Sequence, residues 1–476
     1  MTQLPAKYIT TTLPYVNASP HIGFGLELVQ ADMLARYWRA LGDDVFFTTG
    51  TDEHGQKIAQ KADEAGEVRQ AYVDRFAGEF NRLREALDLS YDNFIRTSSE
   101  AHKTAAQEIW RRCEAAGDIY KKSYTGLYCV GDEMFVKEAD LVDGKCPNHP
   151  TMELKEIEEE NYFFKLSNYQ GYLEEYLSQP GVIEPDWRRK EALTFVQGGL
   201  EDFSISRQID RMDWGIPVPG DETQVMYVWF DALTNYISTL GWPEDAARNF
   251  KKYWQDGKTL IVAGKDQVRF QSIMWPAMLK SADLKAIDKV FYHGFINTGG
   301  QKMSKSLGNV ISPYELVERY GTDATRYILL RHVHCVDDTD LTWERMDEYY
   351  TANLVNGLGN VTARIMKMCE THLTPGEFEL LNPRELDAPY LVDFQKAMDH
   401  VWSKVQKLDE IIAETEPFKL IKTDKIAAKS ILINLREQLL HIALLLGPSM
   451  PQTSLLIKKA VLANKKPENL FVRLEK

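Results

Sequence analysis

Cysteine is scarce, long apolar runs are missing, and basic side chains are outnumbered. The five cysteines, at positions 113, 129, 146, 335 and 369 of a 476-residue chain, are odd in number and do not read as a disulfide framework. That predicts a reducing cytoplasm. The most apolar stretch, around Ile442–Leu446, falls far short of the roughly 18 residues a membrane span needs. The opening MTQLPAKYITTTLPY lacks the charged-then-apolar plan of a secretory signal. Lys and Arg total 56 against 70 Asp and Glu, a net charge of −14. Such a balance weighs against a nucleic-acid partner, because phosphate binding requires cations. Only the local field at a docking face decides the matter.

What is present is an ordinary globular composition, 44% hydrophobic and 26% charged, which argues against wholesale disorder. At roughly 150 residues per domain the length predicts about three domains with sizeable cores, not a stapled miniprotein. The charge is uneven. Val401–Lys476 carries 13 basic and eight acidic side chains, net +5, which leaves −19 on the first 400 residues. An acidic body with a basic tail hints at a polyanion-facing segment. Solvated helix faces with scattered lysines account for it equally well.

Lys7–Leu13 is β-rich and predicts a first strand. A turn, Pro14–Pro20, leads to His21-Ile-Gly-Phe-Gly25. Leu28, Val29, Met33, Leu34, Tyr37, Trp38 and Leu41 then recur at helical spacing, and Gly42 closes the helix. Asp44–Thr49 predicts a second strand, ending in Gly50-Thr-Asp-Glu-His-Gly55. Small residues at a helix N-terminus let a phosphate or an adenine ring approach free N–H groups. His21 and Asp52 both fall beyond strand carboxyl ends, where open α/β sheets bind ligands. Alone the glycines read as an ordinary turn and His21 as a helix cap. The other half of the pattern has its first lysine, Lys302, 281 residues after His21, in Gly299-Gly-Gln-Lys-Met-Ser-Lys-Ser-Leu-Gly-Asn309. Its two lysines offer compact charges to phosphate oxygens from a glycine-flanked loop.

Together these motifs resemble those of the class I aminoacyl-tRNA synthetases, and among them the bacterial methionyl-tRNA synthetase family. His21-Ile-Gly-Phe24 stands at one signature of that family, and Lys302-Met-Ser-Lys-Ser306 matches the other in full. Thr51–Gly55, Ser204–Arg207, Trp214–Pro217, Tyr227–Ala232 and Gly264–Asp266 match as well, so the resemblance runs from about residue 7 to the C-terminus. It implies a Rossmann-like doubly wound parallel sheet (α/β) split by an α/β insert with a zinc-knuckle-like segment, followed by an all-α anticodon-binding bundle. The expected boundaries are 1–117 and 226–298 for the catalytic halves and 118–225 for the insert, with the knuckle at 126–150. Residues 299–345 would form the signature loop and stem-contact region, and 346–476 the helical domain.

The implied activity is methionine–tRNA ligation. Methionine and ATP give methionyl adenylate and pyrophosphate, and the methionyl group then passes to the 3′ end of its tRNA. A methionine carboxylate is already ionised at neutral pH, so the first step needs positioning and cations, not a general base. The resemblance makes His21, Lys302 and Lys305 the catalytic donors. It adds Gly23, Phe24, Lys265, Asp266 and Ser304 to those lysines around ATP, with Mg²⁺ bridging the phosphates. It places Leu13, Tyr15, Trp229, Ala232, Tyr236, Gln271 and Trp275 around methionine, with Asp52 receiving the ammonium. Phe24 and Gln271 each stand where the family usually has histidine. The interval between the signatures has room for an insert of only about 100 residues besides half a nucleotide fold, too little for an editing domain. That favours methionine over branched substrates.

Cys129-Val-Gly-Asp132 and Cys146-Pro-Asn-His149 have the spacing of a tetrahedral zinc knuckle. The family commonly has cysteine at the position of Asp132. A site of Cys129, Asp132, Cys146 and His149 and an unmetallated knuckle held by Leu127, Tyr128 and Phe135 both stay open. From about Met346 apolar stripes predict a helical bundle, one from Phe394 to Ile412 and one from Ile431 to Leu446. By resemblance Asn360 and Arg364 read anticodon bases, and Phe418 stands where a tryptophan usually stacks on one. The chain stops soon after Leu474, so a monomer is expected. Two other readings remain. One is a catalytically weakened tRNA- or nucleotide-binding paralogue, to which Phe24, Gln271 and Asp132 point together. The other is a small-molecule nucleotidyltransferase of the same fold, against which the helical tail speaks.

Overall fold

Ala6–Thr11 (β1) is the strand that the β-rich N-terminal run predicts, and it lies inside a six-stranded sheet. The structure is a computed structural model, and it describes residues 6–130, 134–136, 140–147, 149–303, 309–376 and 393–474. The other strands are Asp44–Thr51 (β2), Asn93–Arg96 (β3), Ile183–Glu184 (β4), Lys258–Gly264 (β5) and Lys289–His293 (β6). They lie in the order β3-β2-β1-β5-β6-β4, and every neighbouring pair is parallel. The chain grows outward from β1 to β3 and later resumes on the other side of β1. The topological switch therefore lies between β1 and β5, and doubly wound sheets bind ligands beyond the strand ends at that point.

Alternate residues of each strand feed cores on opposite faces of the sheet. Ile9, Phe47, Leu260, Val262 and Phe291 enter one core, and Tyr8, Ile261, Ala263, Val290 and Tyr292 enter the other. Each large apolar side chain contributes roughly 1.5–3 kcal/mol by leaving water, which is why strands covered on both faces are so apolar. The first core runs on through helix α1 (Ile22–Ala40) into the C-terminal helices. There Phe394, Met398, Val401, Trp402, Val405, Leu408 and Ile412 are buried along the helix Phe394–Thr415. Leu432, Leu435, Leu439, Ile442 and Leu446 are buried along Lys425–Leu446. Both predicted stripes thus pack inward, against the sheet's own core.

Between β3 and β5 the chain builds a four-stranded antiparallel sheet in which Ile119–Cys129 pairs with Lys155–Phe164. A smaller three-stranded sheet pairs Asp221–Met226 with Pro217–Val218 and Ser206–Gln208. The same interval lends β4 to the edge of the parallel sheet. This is the split, doubly wound α/β fold with an α/β insert and a helical C-terminal region that the motifs implied. All five cysteines are buried, and none is in a disulfide. Among the described residues no helix is long and apolar enough to cross a membrane.

Candidate active site

His21 is the N-cap of α1, in extended backbone, and its Nδ1 accepts from the Gly23 N–H at 3.1 Å. An accepting Nδ1 leaves the proton of a neutral ring on Nε2. Gly23 is required by this cap, because a Cβ there would stand 2.9 Å from His21 Cε1. Phe24 turns into the core, edge-on to Phe80 with ring centroids 5.4 Å apart.

The two signatures, far apart in sequence, meet at this helix end. The Ile22 N–H donates to the Ile311 carbonyl at 3.0 Å. The Met303 methyl lies 4.0 Å from where a Cβ on Gly23 would be, and Gly25 faces Pro313 at 3.3 Å by the same measure. Ile296–Thr298 and Gln301–Lys302 form the hairpin that leads into the loop. Gly299 and Gly300 between them both have positive φ, as a tight two-residue hairpin turn demands. Ser304 and Lys305 lie outside the described residues, as does the side chain of Lys302.

Lys265 and Asp266 follow β5 directly, on the other side of the switch point. Lys265 pairs with Asp338 at 2.6 Å, and Asp266 accepts from Gln267 at 3.2 Å. Gly264 keeps this turn tight, since a Cβ there would stand 2.8 Å from Asp266 Oδ1.

Leu13, Tyr15 and Asp52 are joined by backbone. Tyr15 bridges Asp52, the Asp52 N–H donates to the Pro14 carbonyl, and Asp52 itself is buried. Trp229, Ala232 and Tyr236 stand on two short helices, Val228–Ala232 and Asn235–Ser238. Trp229 stacks on Phe270 with centroids 3.6 Å apart. Tyr236 receives a 3.0 Å hydrogen bond from Gln271 and lies 6.1 Å from the Trp275 ring. Burial raises the Tyr236 hydroxyl well above its ordinary pKa, so it stays protonated. Gln271 sits in one wide π-type turn, Phe270–Met274, a local irregularity that recurs at functional sites.

Charged residues under these motifs escaped the sequence reading. Asp231 is fully buried between His54 Nδ1 at 2.9 Å and His102 Nε2 at 3.2 Å. Burial pushes its carboxyl up, but the two histidines outweigh that and hold it below the ordinary value. Glu53 takes both nitrogens of an Arg96 fork, at 2.7 and 2.8 Å. His54 and Asp231 lie in the matched segments Thr51–Gly55 and Tyr227–Ala232, which was the available signal. Their pairing across 177 residues was not visible in either.

A family model described as tRNA synthetases class I (M) matches residues 7–156 and 148–366. The chain belongs to this methionyl-tRNA synthetase family. A methionine–tRNA ligase of Brucella suis is 42% identical over 467 residues, covering 94% of this chain and 90% of the relative. One of Thermotoga maritima is 40% identical, covering 97% of this chain and 76% of its own length. The solved structure of Mycobacterium tuberculosis methionyl-tRNA synthetase in complex with methionyl-adenylate matches with a TM-score of 0.87 at 37% identity, covering 95% of this chain and 93% of that one.

Two further clusters complete the synthetase. In the insert, one ligand atom each of Cys129, Cys146 and His149 lie within 4.8 Å of one another, with Cys129 Sγ 3.9 Å from His149 Nδ1. Two sulfurs and an imidazole nitrogen at this separation suit the ~2.0–2.3 Å bonds of tetrahedral zinc. Asp132 lies outside the described residues. In the helical region a cavity of about 410 Å³ is lined by Ala363, Arg364, Lys367, Met368, Ile412, Phe418 and Lys466. Arg364 is ion-paired to Asp409, and Phe418 is 46% exposed. Asn360 is exposed one helical turn before Arg364.

Proposed function

We propose that this chain is a methionine–tRNA ligase that forms methionyl adenylate from methionine and ATP and then charges tRNA. The observation that carries the reading is the junction of Ile22 with Ile311, which sets the His21 helix end beside the segment leading from Lys302. It lies beyond the carboxyl ends of β1 and β5, at the switch point where a nucleotide binds. The named activity of the Brucella relative and the adenylate held by the Mycobacterium structure support the same reaction.

In this reading His21 Nε2–H, Lys302 and Lys305 donate to the α-phosphate and the departing pyrophosphate, where negative charge grows. Gly23 and Ser304 line the phosphates, Lys265 and Asp266 hold the nucleotide from the β5 side, and the Phe24 ring stiffens the helix beneath. Mg²⁺ supplies charge neutralisation on the phosphates when ATP is bound. Asp52 takes the methionine ammonium, while Leu13, Tyr15, Trp229, Ala232, Tyr236, Gln271 and Trp275 enclose its apolar chain. Zn²⁺ at Cys129, Cys146 and His149 would stiffen the knuckle, with Asp132 as fourth ligand. Asn360, Arg364 and Phe418 receive the anticodon. The working form is a cytoplasmic monomer.

Methionine-dependent exchange of labelled pyrophosphate into ATP is the test. Exchange with methionine and none with isoleucine or valine is the expected result. No exchange, with tRNA still bound, would leave a non-catalytic tRNA-binding paralogue in its place.

A further inference from the structure

His293 ends β6 and sits directly beneath the turn that carries Lys265 and Asp266, 3.9 Å from a Cβ built on Gly264. The side chain is buried, and both ring nitrogens are engaged. Nδ1 lies 2.8 Å from the Gly294 carbonyl and Nε2 lies 3.0 Å from Glu27 Oε2. A carbonyl oxygen only accepts, so Nδ1 carries a proton. The Glu27 carboxylate is itself an acceptor, because its other oxygen takes the Thr12 N–H at 2.7 Å and the Thr12 hydroxyl at 2.6 Å. The 3.0 Å contact between Nε2 and Oε2 must itself hold a proton, and on the imidazole, intrinsically the more basic of the two groups, that proton makes a charge-assisted bond to the carboxylate. A ring with both nitrogens protonated is an imidazolium.

The joint links three elements that lead into the site. Glu27 is on α1, one and a half turns past His21. Thr12 follows β1 directly and precedes Leu13 and Tyr15. His293 closes β6 and precedes the hairpin that reaches Lys302. We propose that His293 is a positioning residue for adenylate formation, a buried imidazolium that clamps Glu27 and so holds the two signature segments and the start of the methionine pocket in one arrangement. This inference rests on the activity proposed above. The charged groups facing His293 are Glu27 from α1 and Asp266 from the turn after β5, with Lys265 beyond, neutralised by Asp338. Burial pushes the imidazole down, but the Glu27 hydrogen bond and charge, the Gly294 carbonyl and Asp266 outweigh it and hold it above its ordinary value. On the imidazole side, the clamp is therefore lost as pH rises through that raised value.

The test combines a spectroscopic and a kinetic reading on the full chain. With ¹⁵N-labelled histidine, wild type at pH 6.5 shows an imidazolium resonance that is absent from His293→Gln and turns into a neutral-ring resonance in Glu27→Gln. In pyrophosphate exchange, His293→Gln lowers kcat about 10²-fold, the usual cost of a slight misplacement, with the methionine KM within about threefold. Glu27→Gln moves the alkaline fall of kcat to lower pH. A neutral ring at that position in wild type at pH 6.5, or wild-type kcat in a folded His293→Gln variant, overturns the proposal. The resonance in wild type is read whether or not the variants fold. Wild type that shows the imidazolium but no exchange overturns the activity reading and leaves the clamp standing as structure.

Discussion

Gln271 Nε2 donates to the Tyr236 hydroxyl at 3.0 Å, and both side chains are buried. In the proposed methionine site this pair stands with Trp229 and Trp275. Glutamine does not titrate, so this contact is the same at pH 6 and pH 8, which histidine at the same place would not ensure. Gln271→Leu removes the donor and leaves a buried hydroxyl to be satisfied elsewhere, a loss of about 1–2 kcal/mol. The methionine KM in exchange should rise about 5–30-fold, with kcat changed far less. A KM within twofold of wild type would remove Gln271 from the pocket.

Loss of a donor to transition-state charge typically costs about 10²–10³ in rate. Lys305→Ala should therefore lower exchange kcat by that order while the chain stays folded. Activity within about threefold of wild type would end its assignment. Gly23→Ala tests the other signature by a different route. The new Cβ meets His21 Cε1 at 2.9 Å, so the cap must break and the imidazole swing away. A fall in kcat with little change in melting temperature is expected, because the substitution lies on an exposed helix end.

The long periodic parts of this fold are readable without coordinates. The strand–helix–strand start and the stripes Phe394–Ile412 and Ile431–Leu446 follow from regular spacing alone, and they pack as the periods require. Short and irregular pieces are not readable. β4 is two residues long and carries no period, so nothing in Ile183–Glu184 announces an edge strand. The break between Ala232 and Asn235 and the π-type turn at Phe270–Met274 interrupt spacings that look continuous. Motifs supplied the candidate residues, yet not the long-range pairs that order them. Glu27 with His293 and Asp32 with Arg326 join residues more than 250 positions apart, and each partner alone resembles an ordinary surface charge.

Arg364 is 38% exposed and paired with Asp409 beside the cavity that Phe418 also lines. An exposed pair of this kind is worth about 0–1 kcal/mol, so neither partner matters much to stability. Recognition of a base or phosphate by Arg364 would be worth more, about 1–3 kcal/mol. Arg364→Gln should raise the tRNA KM about 5–150-fold and flatten its dependence on salt, with exchange unaffected. Asp409→Asn releases the guanidinium and should leave tRNA affinity equal or tighter. Equal losses in both variants would mean that the pair only shapes the helix surface.

Three donor atoms already gathered within 4.8 Å predict a metal, and zinc suits their chemistry. The purified chain should contain about one zinc per molecule by elemental analysis. Cys146→Ser should abolish it, since Cys129, His149 and Asp132 leave one corner of the tetrahedron without a protein ligand. Asp132→Cys should retain zinc and resist chelators better, because thiolate is the softer ligand. Zinc absent from freshly purified wild type would leave a knuckle held by side-chain packing.

Arg326 and Asp32 are both fully buried, 2.8 Å apart, and tie α1 to the C-terminal helices. Arg326 also donates to the carbonyls of Ser449 at 2.7 Å, Pro448 at 2.9 Å and Leu87 at 3.0 Å. Removing one member of such a group strands the other, at about 3–5 kcal/mol. Arg326→Ala should lower the denaturant midpoint accordingly, while Arg319→Ala at an exposed pair should barely move it. The acid dependence follows from Asp32. Burial pushes its carboxyl up, but Arg326, Arg36 and the Ser90 donors outweigh that and leave it below its ordinary value. A carboxyl lowered by folding contributes stability above its unfolded pKa of about 3.9 and loses it as pH falls through the folded value. Wild type should therefore lose stability steeply on titration below about pH 4. Arg326→Ala, with less of the shift to lose, should show a shallower fall over the same window. Parallel acid curves for the two proteins would exclude the Asp32 ion pair as the source.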